Sequence, residues 1–304
     1  MLSLSRFTAI LFVTLSLSPG AAQAAPIDVT ASFSILGDMV REVGGERIRV
    51  QTLVGADEDA HAFQPRPSDS RRIGNARLVV VNGLGFDDWM ARLARSGGYK
   101  GPVVIASRGV TTLAMDADKH GHGHGIDPHA WQDVGNAQRY VDNIATALIE
   151  VDPEGADTYR ANAARYAGEL KVLDAQIREA LGSLSAAQRK VVSSHDAFGY
   201  FAHAYDLQFL SPVGVSNDAE PTAKGVARLI QQLRKEKVPA VFIENISDPR
   251  LSERISAESG AVMGGTLYSD ALSAASGPAP TYVTMMRHNL HTLMAALTSA
   301  PPAR

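Results

Sequence analysis

The chain contains no cysteine. That excludes disulfides, thiolate metal ligands and lipid attachment through an N-terminal cysteine, and it leaves nitrogen and oxygen donors for any metal. Aromatic residues are sparse at 6%, and two of them are tryptophans, Trp89 and Trp131. Both read as packing residues, with Trp131 also placed to shield a neighbouring site from water. An excess of one charge is missing as well. The formal net charge is −3, with both signs spread along the chain, which points away from a nucleic-acid surface. No run in the sequence reaches the length of a transmembrane span.

What is present begins with an export signal. Arg6 precedes the eleven-residue apolar run Phe7–Leu17, and Pro19 and Gly20 break it. Ala22-Gln23-Ala24 then sets small residues at the −3 and −1 positions, so residues 1–24 read as a signal peptide cleaved after Ala24. Removing 24 of the 304 residues leaves 280, more than one core comfortably serves, so two domains are expected. An exported chain without a lipid anchor is best retained behind an outer membrane. The expected location is the periplasm of a Gram-negative bacterium.

Strands and helices alternate along the mature chain. Strands are expected at Val29–Phe33, Arg47–Val54, Leu78–Val81 and Val103–Ile105, with helices over Ser34–Val43, from Pro67, and over Asp133–Ile149. In the second half, strands at Lys190–Ser193, Phe209–Val213, Ala240–Glu244 and Ala261–Thr266 alternate with helices at Asp196–Tyr205, Thr222–Lys235, Pro249–Ser259 and Thr281–Leu297. Such alternation argues for parallel α/β sheets. Between the halves, Asp152-Pro153 opens a helix in which Tyr159, Ala163, Tyr166, Leu170, Leu173, Ile177 and Leu181 keep one helical face. From Pro153 to Leu181 it would span about 43 Å, long for one small domain and suited to connecting two.

Four metal-ligand side chains stand in segments that follow expected strands: His61 in "DEDAHAFQPRPSD", His129 in "DPHAWQD", His195 after "KVVSS" and Asp270 in "GGTLYSDALS". The carboxyl ends of parallel strands are where α/β sheets bind ligands. The separations of 68, 66 and 75 residues are uninformative alone, and each residue taken singly also reads as a surface or capping residue. Two ligands from each half, facing a cleft, would form a three-imidazole, one-carboxylate shell suited to Zn2+. Hard cations such as Mg2+ or Ca2+ would call for more oxygen.

These segments, with "SSHDAFGYFAHAYDL" around His195 and "VFIEN" at Glu244, resemble the metal-specific solute-binding proteins of ABC importers of the zinc/manganese type (cluster A-I) over essentially the whole mature chain. The resemblance implies two α/β lobes, residues 25–152 and 183–304, joined by one rigid helix over 153–182, with the metal in the inter-lobe cleft. It implies His61, His129, His195 and Asp270 as ligands. Histidine at the third position, His195, is the zinc-type choice, where manganese-type members often carry glutamate. The chain departs from the family pattern beside the first ligand, with Ala60 and Gln64 in place of a proline and an acidic residue.

The remaining candidates have plainer readings. Glu244 either hydrogen-bonds a ligand imidazole or caps the next helix. His203 reads as a surface residue, and His288 and His291 as packing or solvent-facing groups. The function expected is capture of Zn2+ in the periplasm and its delivery to an inner-membrane permease, with a periplasmic metallochaperone as a further possible partner and a monomer as the expected state. The alternatives are a manganese or other divalent-metal protein of the same class, a secreted zinc hydrolase, and an adhesin. A hydrolase would need an open coordination position and a base, for which Asp57, Glu58 and Asp59 are candidates, but no HExxH motif is present.

His120, His122 and His124 alternate with glycine directly before the second ligand. Zinc-type members often carry a histidine-rich insertion there. The segment 119–125 is expected to be a flexible capture loop, against the alternative of a merely solvated one. Deleting Lys119–Gly125 should leave the tight metal equivalent and the folding stability unchanged, while slowing metal loading at low zinc. Stopped-flow binding and a metal titration of the deletion variant check this. Loss of the tight equivalent would instead make one of the three histidines a primary ligand.

Overall fold

The computed structural model describes residues 25–115, 125–216 and 221–299. The export segment at residues 1–24 and the histidines His120, His122 and His124 lie outside the described residues.

Two four-stranded parallel sheets dominate. The first comprises β1 (Ile27–Phe33), β2 (Ile48–Val54), β3 (Leu78–Val81) and β4 (Val103–Ile105) in the order β2-β1-β3-β4. The second comprises β5 (Lys190–Val192), β6 (Gln208–Leu210), β7 (Ala240–Glu244) and β8 (Val262–Leu267) in the order β6-β5-β7-β8. The two orders are the same, so the second lobe repeats the topology of the first. In each sheet the strand order reverses beside the first strand, which opens a crevice at the carboxyl ends. The central strands β1 and β3 are buried over most of their length, β3 being apolar throughout and β1 placing Thr30 and Ser32 on its second face.

The first lobe carries α1 (Ser34–Gly44), α2 (Pro67–Gly74), α3 (Trp89–Ser96) and α4 (Val134–Val151). Gly45 ends α1 at φ 55°, a conformation that glycine adopts without strain. Asp133 caps α4 by accepting from the Gly135 amide. The short helix α3 has no counterpart in the sequence reading.

The connecting helix α5 runs over Ala156–Gly182, 27 residues, or about 40 Å. It starts later than the Asp152-Pro153 signal implies, because Pro153–Gly155 forms a separate 3-10 turn. The Asp152 carboxylate is already engaged, by Arg47 Nε at 2.9 Å, Arg47 Nη2 at 3.0 Å and the Tyr159 hydroxyl at 2.6 Å, and so does not cap the helix. The seven apolar positions read from Tyr159 to Leu181 are all buried.

The second lobe adds α6 (Gly199–Tyr205), α7 (Ala223–Glu236), α8 (Pro249–Ser259) and α9 (Tyr282–Ser299). Helix α6 begins three residues later than expected, since the Asp196 amide is drawn to the Gly214 carbonyl at 3.0 Å and the segment before Gly199 is a turn. One apolar cluster runs from Val29 through Tyr166 and Leu173 to Leu297, so the lobes and α5 share a core. A smaller cluster lies under α7 and α8. Among the described residues no helix is long and apolar enough to cross a membrane.

Leu173 is fully buried on α5. Leu173→Ala should cost about 2–5 kcal/mol of folding stability, read as a lowered urea midpoint at unchanged slope. A cost under ~1 kcal/mol would mean that α5 is not part of the shared core.

Candidate metal centre

The four singled-out side chains converge at the carboxyl ends of the strands. His61 lies in the loop after β2, His129 just before the short 3-10 turn Ala130–Gln132, His195 just past β5, and Asp270 past β8. Their donor atoms all lie within 4.8 Å of one another. His61 Nε2 is 3.4 Å from His129 Nε2 and 3.4 Å from Asp270 Oδ2. His195 Nε2 is 3.1 Å from Asp270 Oδ2, and His129 Nε2 is 3.6 Å from Asp270 Oδ1. A tetrahedral shell with bonds of about 2.0–2.1 Å has donor–donor edges of about 3.3–3.4 Å, so these separations suit a small divalent ion. His129, His195 and Asp270 are fully buried, and the His61 side chain retains 9% exposure. His61 therefore marks the side open to solvent, where a groove of about 510 Å3 is lined by His61, Phe86, Trp89 and Arg92 among others.

Each histidine has its backbone amide held by a carboxylate. Asp59 Oδ1 accepts from His61 N at 2.8 Å, and Asp127 Oδ1 accepts from His129 N at 2.9 Å. These are local turns in which an aspartate precedes the histidine by two positions. With Ala60 buried in place of a proline, the Asp59 turn shapes the first ligand's loop. For His195 the same task falls to Glu244, 49 residues away, whose Oε1 accepts the His195 amide at 2.9 Å. Glu244 is not the cap of the following helix, which Asp248 provides.

The imidazole orientations follow from the same carboxylates. Asp127 Oδ1 lies 2.8 Å from His129 Nδ1, which holds the proton on that nitrogen and turns Nε2 to the centre. Glu244 Oε2 lies 2.6 Å from His195 Nδ1 but out of line for a hydrogen bond, so that contact is one of charge. Both nitrogens of His195 and both oxygens of Asp270 are buried without an aligned hydrogen bond. Buried polar atoms left in this way are rare in folded proteins unless a ligand takes them, and a cation at the centre would face Asp270 and the Nε2 atoms together.

Burial alone would push the imidazole of His129 down, but the Asp270 and Asp127 carboxylates outweigh it and raise it to about 9. Burial likewise opposes charge on His195, and Glu244 and Asp270 lift it well above its ordinary value. Burial disfavours the Asp270 anion, yet the His129 and His195 charges hold it well below the usual carboxylate range. Without metal, protons on the imidazoles balance the buried carboxylate.

Around the four stands an aromatic wall of Phe33, Phe86 and Trp131, of which sequence reasoning singled out Trp131 as a shield and missed Phe33 and Phe86. Phe86 stands edge-on to His61 at 4.8 Å, and Trp131 lies 5.2 Å from His129. Trp131 is fully buried and donates to the Ser269 carbonyl at 3.0 Å. Trp89 packs on Phe63 at 4.6 Å. His203 and His291 are exposed, and His288 packs edge-on to Tyr268 with Nε2 3.0 Å from the Thr266 carbonyl, so none of these joins the cluster. Asp57, Glu58 and Asp59 are all occupied in loop hydrogen bonds.

Two parallel-sheet lobes, a long connecting helix and a nitrogen-rich cluster drawn from both lobes define a metal-binding protein of the solute-capturing kind. The chain belongs to the family described as "Zinc-uptake complex component A periplasmic", whose model matches residues 29–296. It is 33% identical over 271 residues to the "Manganese-binding lipoprotein MntA" of Halalkalibacterium halodurans, covering 89% of this chain and 88% of that one. It is 33% identical over 297 residues to the "Iron-binding protein YfeA" of Yersinia pestis, covering 94% and 93%. Among solved structures it is similar to the "periplasmic zinc binding protein TroA" from Treponema pallidum, with a TM-score of 0.84, 28% identity and coverage of 90% and 99%. The protein is thus a metal-binding component of an ABC transporter, not an enzyme.

The raised histidines move the pH window for metal binding above the ordinary imidazole range. His129 must lose its proton to bind metal, so affinity should rise as pH climbs from 6.5 through about 9. The sign for the metal-free fold is opposite. Its histidine–carboxylate contribution is complete below pH 6.5 and fades as pH passes about 9. The melting-temperature gain on adding metal should therefore grow across this window, with protons released on binding. A gain that is flat over the window would mean that imidazoles are not the main ligands.

Proposed function

We propose that the protein captures Zn2+ through His61, His129, His195 and Asp270 and hands it to the permease of its ABC importer. The observation that carries this reading is the buried centre itself: three Nε2 atoms and a carboxylate within 4.8 Å, with both Asp270 oxygens lacking an aligned hydrogen bond. Three neutral imidazoles favour Zn2+ well above Mn2+ in the general order of divalent affinities, and the donor–donor edges support a small tetrahedral ion. The four protein donors leave no coordination position for a hydrolytic water.

A second reading, manganese as the cargo, has one specific observation in its favour. Asp270 turns Oδ2 toward His61 and His195 and Oδ1 toward His129. A carboxylate binding through both oxygens would make the shell five-coordinate, which suits an ion content with more oxygen. The manganese and iron named in two of the relatives are compatible with it.

The location we propose is the periplasm, after cleavage behind Ala24. We further propose His120, His122 and His124 as a weak capture segment, and a periplasmic metallochaperone as a donor to the monomeric protein.

X-ray absorption on protein loaded with one equivalent of zinc should show nitrogen and oxygen neighbours at about 2.0–2.1 Å and no sulfur. Asp270→Ala and His195→Ala should each abolish the tight equivalent in a competitive chelator titration. Metal analysis of protein taken from its own periplasm separates the cargoes, and recovery with manganese in zinc-replete medium would replace the first reading by the second. A six-coordinate, all-oxygen shell overturns both.

A further inference from the structure

The segment that bears Asp270 belongs to the second lobe by sequence, yet its backbone is held by the first. The Ser269 carbonyl accepts from Trp131 Nε1 at 3.0 Å and from Gln132 Nε2 at 2.6 Å. The Leu272 amide donates to Ser34 Oγ at 3.0 Å, and its carbonyl accepts from the Asp57 amide at 2.9 Å. Asp57 completes the set with its side chain. Oδ2 accepts from the Ala274 amide at 3.2 Å, and Oδ1 accepts from Asn245 Nδ2 at 3.0 Å. That same Asn245 Nδ2 reaches the Ala271 carbonyl at 3.3 Å.

Asp57 lies four positions before His61, and its partners Leu272 and Ala274 lie two and four after Asp270. Its φ is 55°, in the left-handed region that aspartate and asparagine tolerate better than most residues. In that conformation its amide and its carboxylate meet the same facing segment. His61 is the ligand with solvent exposure, so metal leaves on its side, and leaving requires His61 and Asp270 to part. The bonds through Asp57 join the two loops that must separate.

We propose that Asp57 is a positioning residue that clasps the His61 loop to the Asp270 segment and so sets how fast the site gives up its metal. This rests on the four-ligand reading of the site. Asp57 touches no ligand side chain among the contacts described, so its removal leaves the donor set whole. The clasp is reached by solvent, and so it resists opening without sealing the site.

Two variants test it. Asp57→Gly keeps the left-handed backbone free of strain and removes the carboxylate. Asp57→Asn keeps the conformation and the acceptor facing Asn245, but loses the acceptor facing Ala274. Zinc dissociation into excess chromophoric chelator should be about tenfold faster for Asp57→Gly, equivalent to about 1.4 kcal/mol, and intermediate for Asp57→Asn. The association rate and the melting temperature of the metal-free protein should match wild type. Equal dissociation rates in wild type and Asp57→Gly would overturn the clasp while leaving the metal site standing. So would a faster rate matched by an equally lowered metal-free melting temperature. A wild-type protein that takes up no zinc and no manganese overturns both the site and the clasp.

Discussion

The structure is organised around one electrostatic constraint, a fully buried Asp270 carboxylate facing three imidazoles. A lone carboxylate in that position would be strongly disfavoured and would take up a proton. Here it stays ionised because positive charge can always sit beside it, on His129 and His195 in the metal-free form or on a divalent ion in the loaded one. The same arrangement gives exchange between protons and metal at one place. Asp127 and Glu244 extend the carboxylate population outward, so the centre carries more negative charge than four first-contact residues suggest. That surplus favours a cation over an empty cavity.

The fold serves this constraint through repetition. Two sheets with the same strand order present their carboxyl ends to one another, and each supplies two ligands from loops that are free to vary without disturbing the strands. What keeps the loops in place is a set of carboxylates that grip backbone amides, at His61, His129 and His195 alike. The helix over Ala156–Gly182 and the continuous apolar cluster fix the distance between lobes. The Asp270 segment follows the first lobe rather than its own, because Ser34, Asp57, Trp131 and Gln132 hold its backbone.

Much of this was legible from residues alone. Alternating strand and helix patterns located most elements, since burial on a pleated or helical surface imposes a period that survives in any sequence. The helix over Ala156–Gly182 was readable because seven apolar positions kept one face, and all seven are buried. Its start was misread because Asp152 looks like a cap, while the fold assigns its carboxylate to Arg47, 105 positions away. The short helix Trp89–Ser96 was missed although Trp89, Met90 and Leu93 form a buried face, because no proline marks its start as Pro67 marks the helix before it. Asp127 had a visible signal, an aspartate two positions before a histidine, that the sequence reading did not use.

By itself the sequence determined the donor chemistry: with no cysteine, any tight site had to be built from imidazole and carboxylate, and the four residues stood out by following strands. It also determined which faces would be buried, because hydrophobic periodicity is a local property. Only the tertiary structure decided which carboxylate serves which histidine, that Glu244 holds the His195 amide rather than capping a helix, and that the first lobe anchors the Asp270 segment. The Glu244–His195 pairing and the bonds that anchor the Asp270 segment join residues 49 to 238 positions apart, whereas Asp59 and Asp127 serve histidines two positions on. A hydrogen bond depends on separations of tenths of an ångström in space, and position along the chain carries no measure of that.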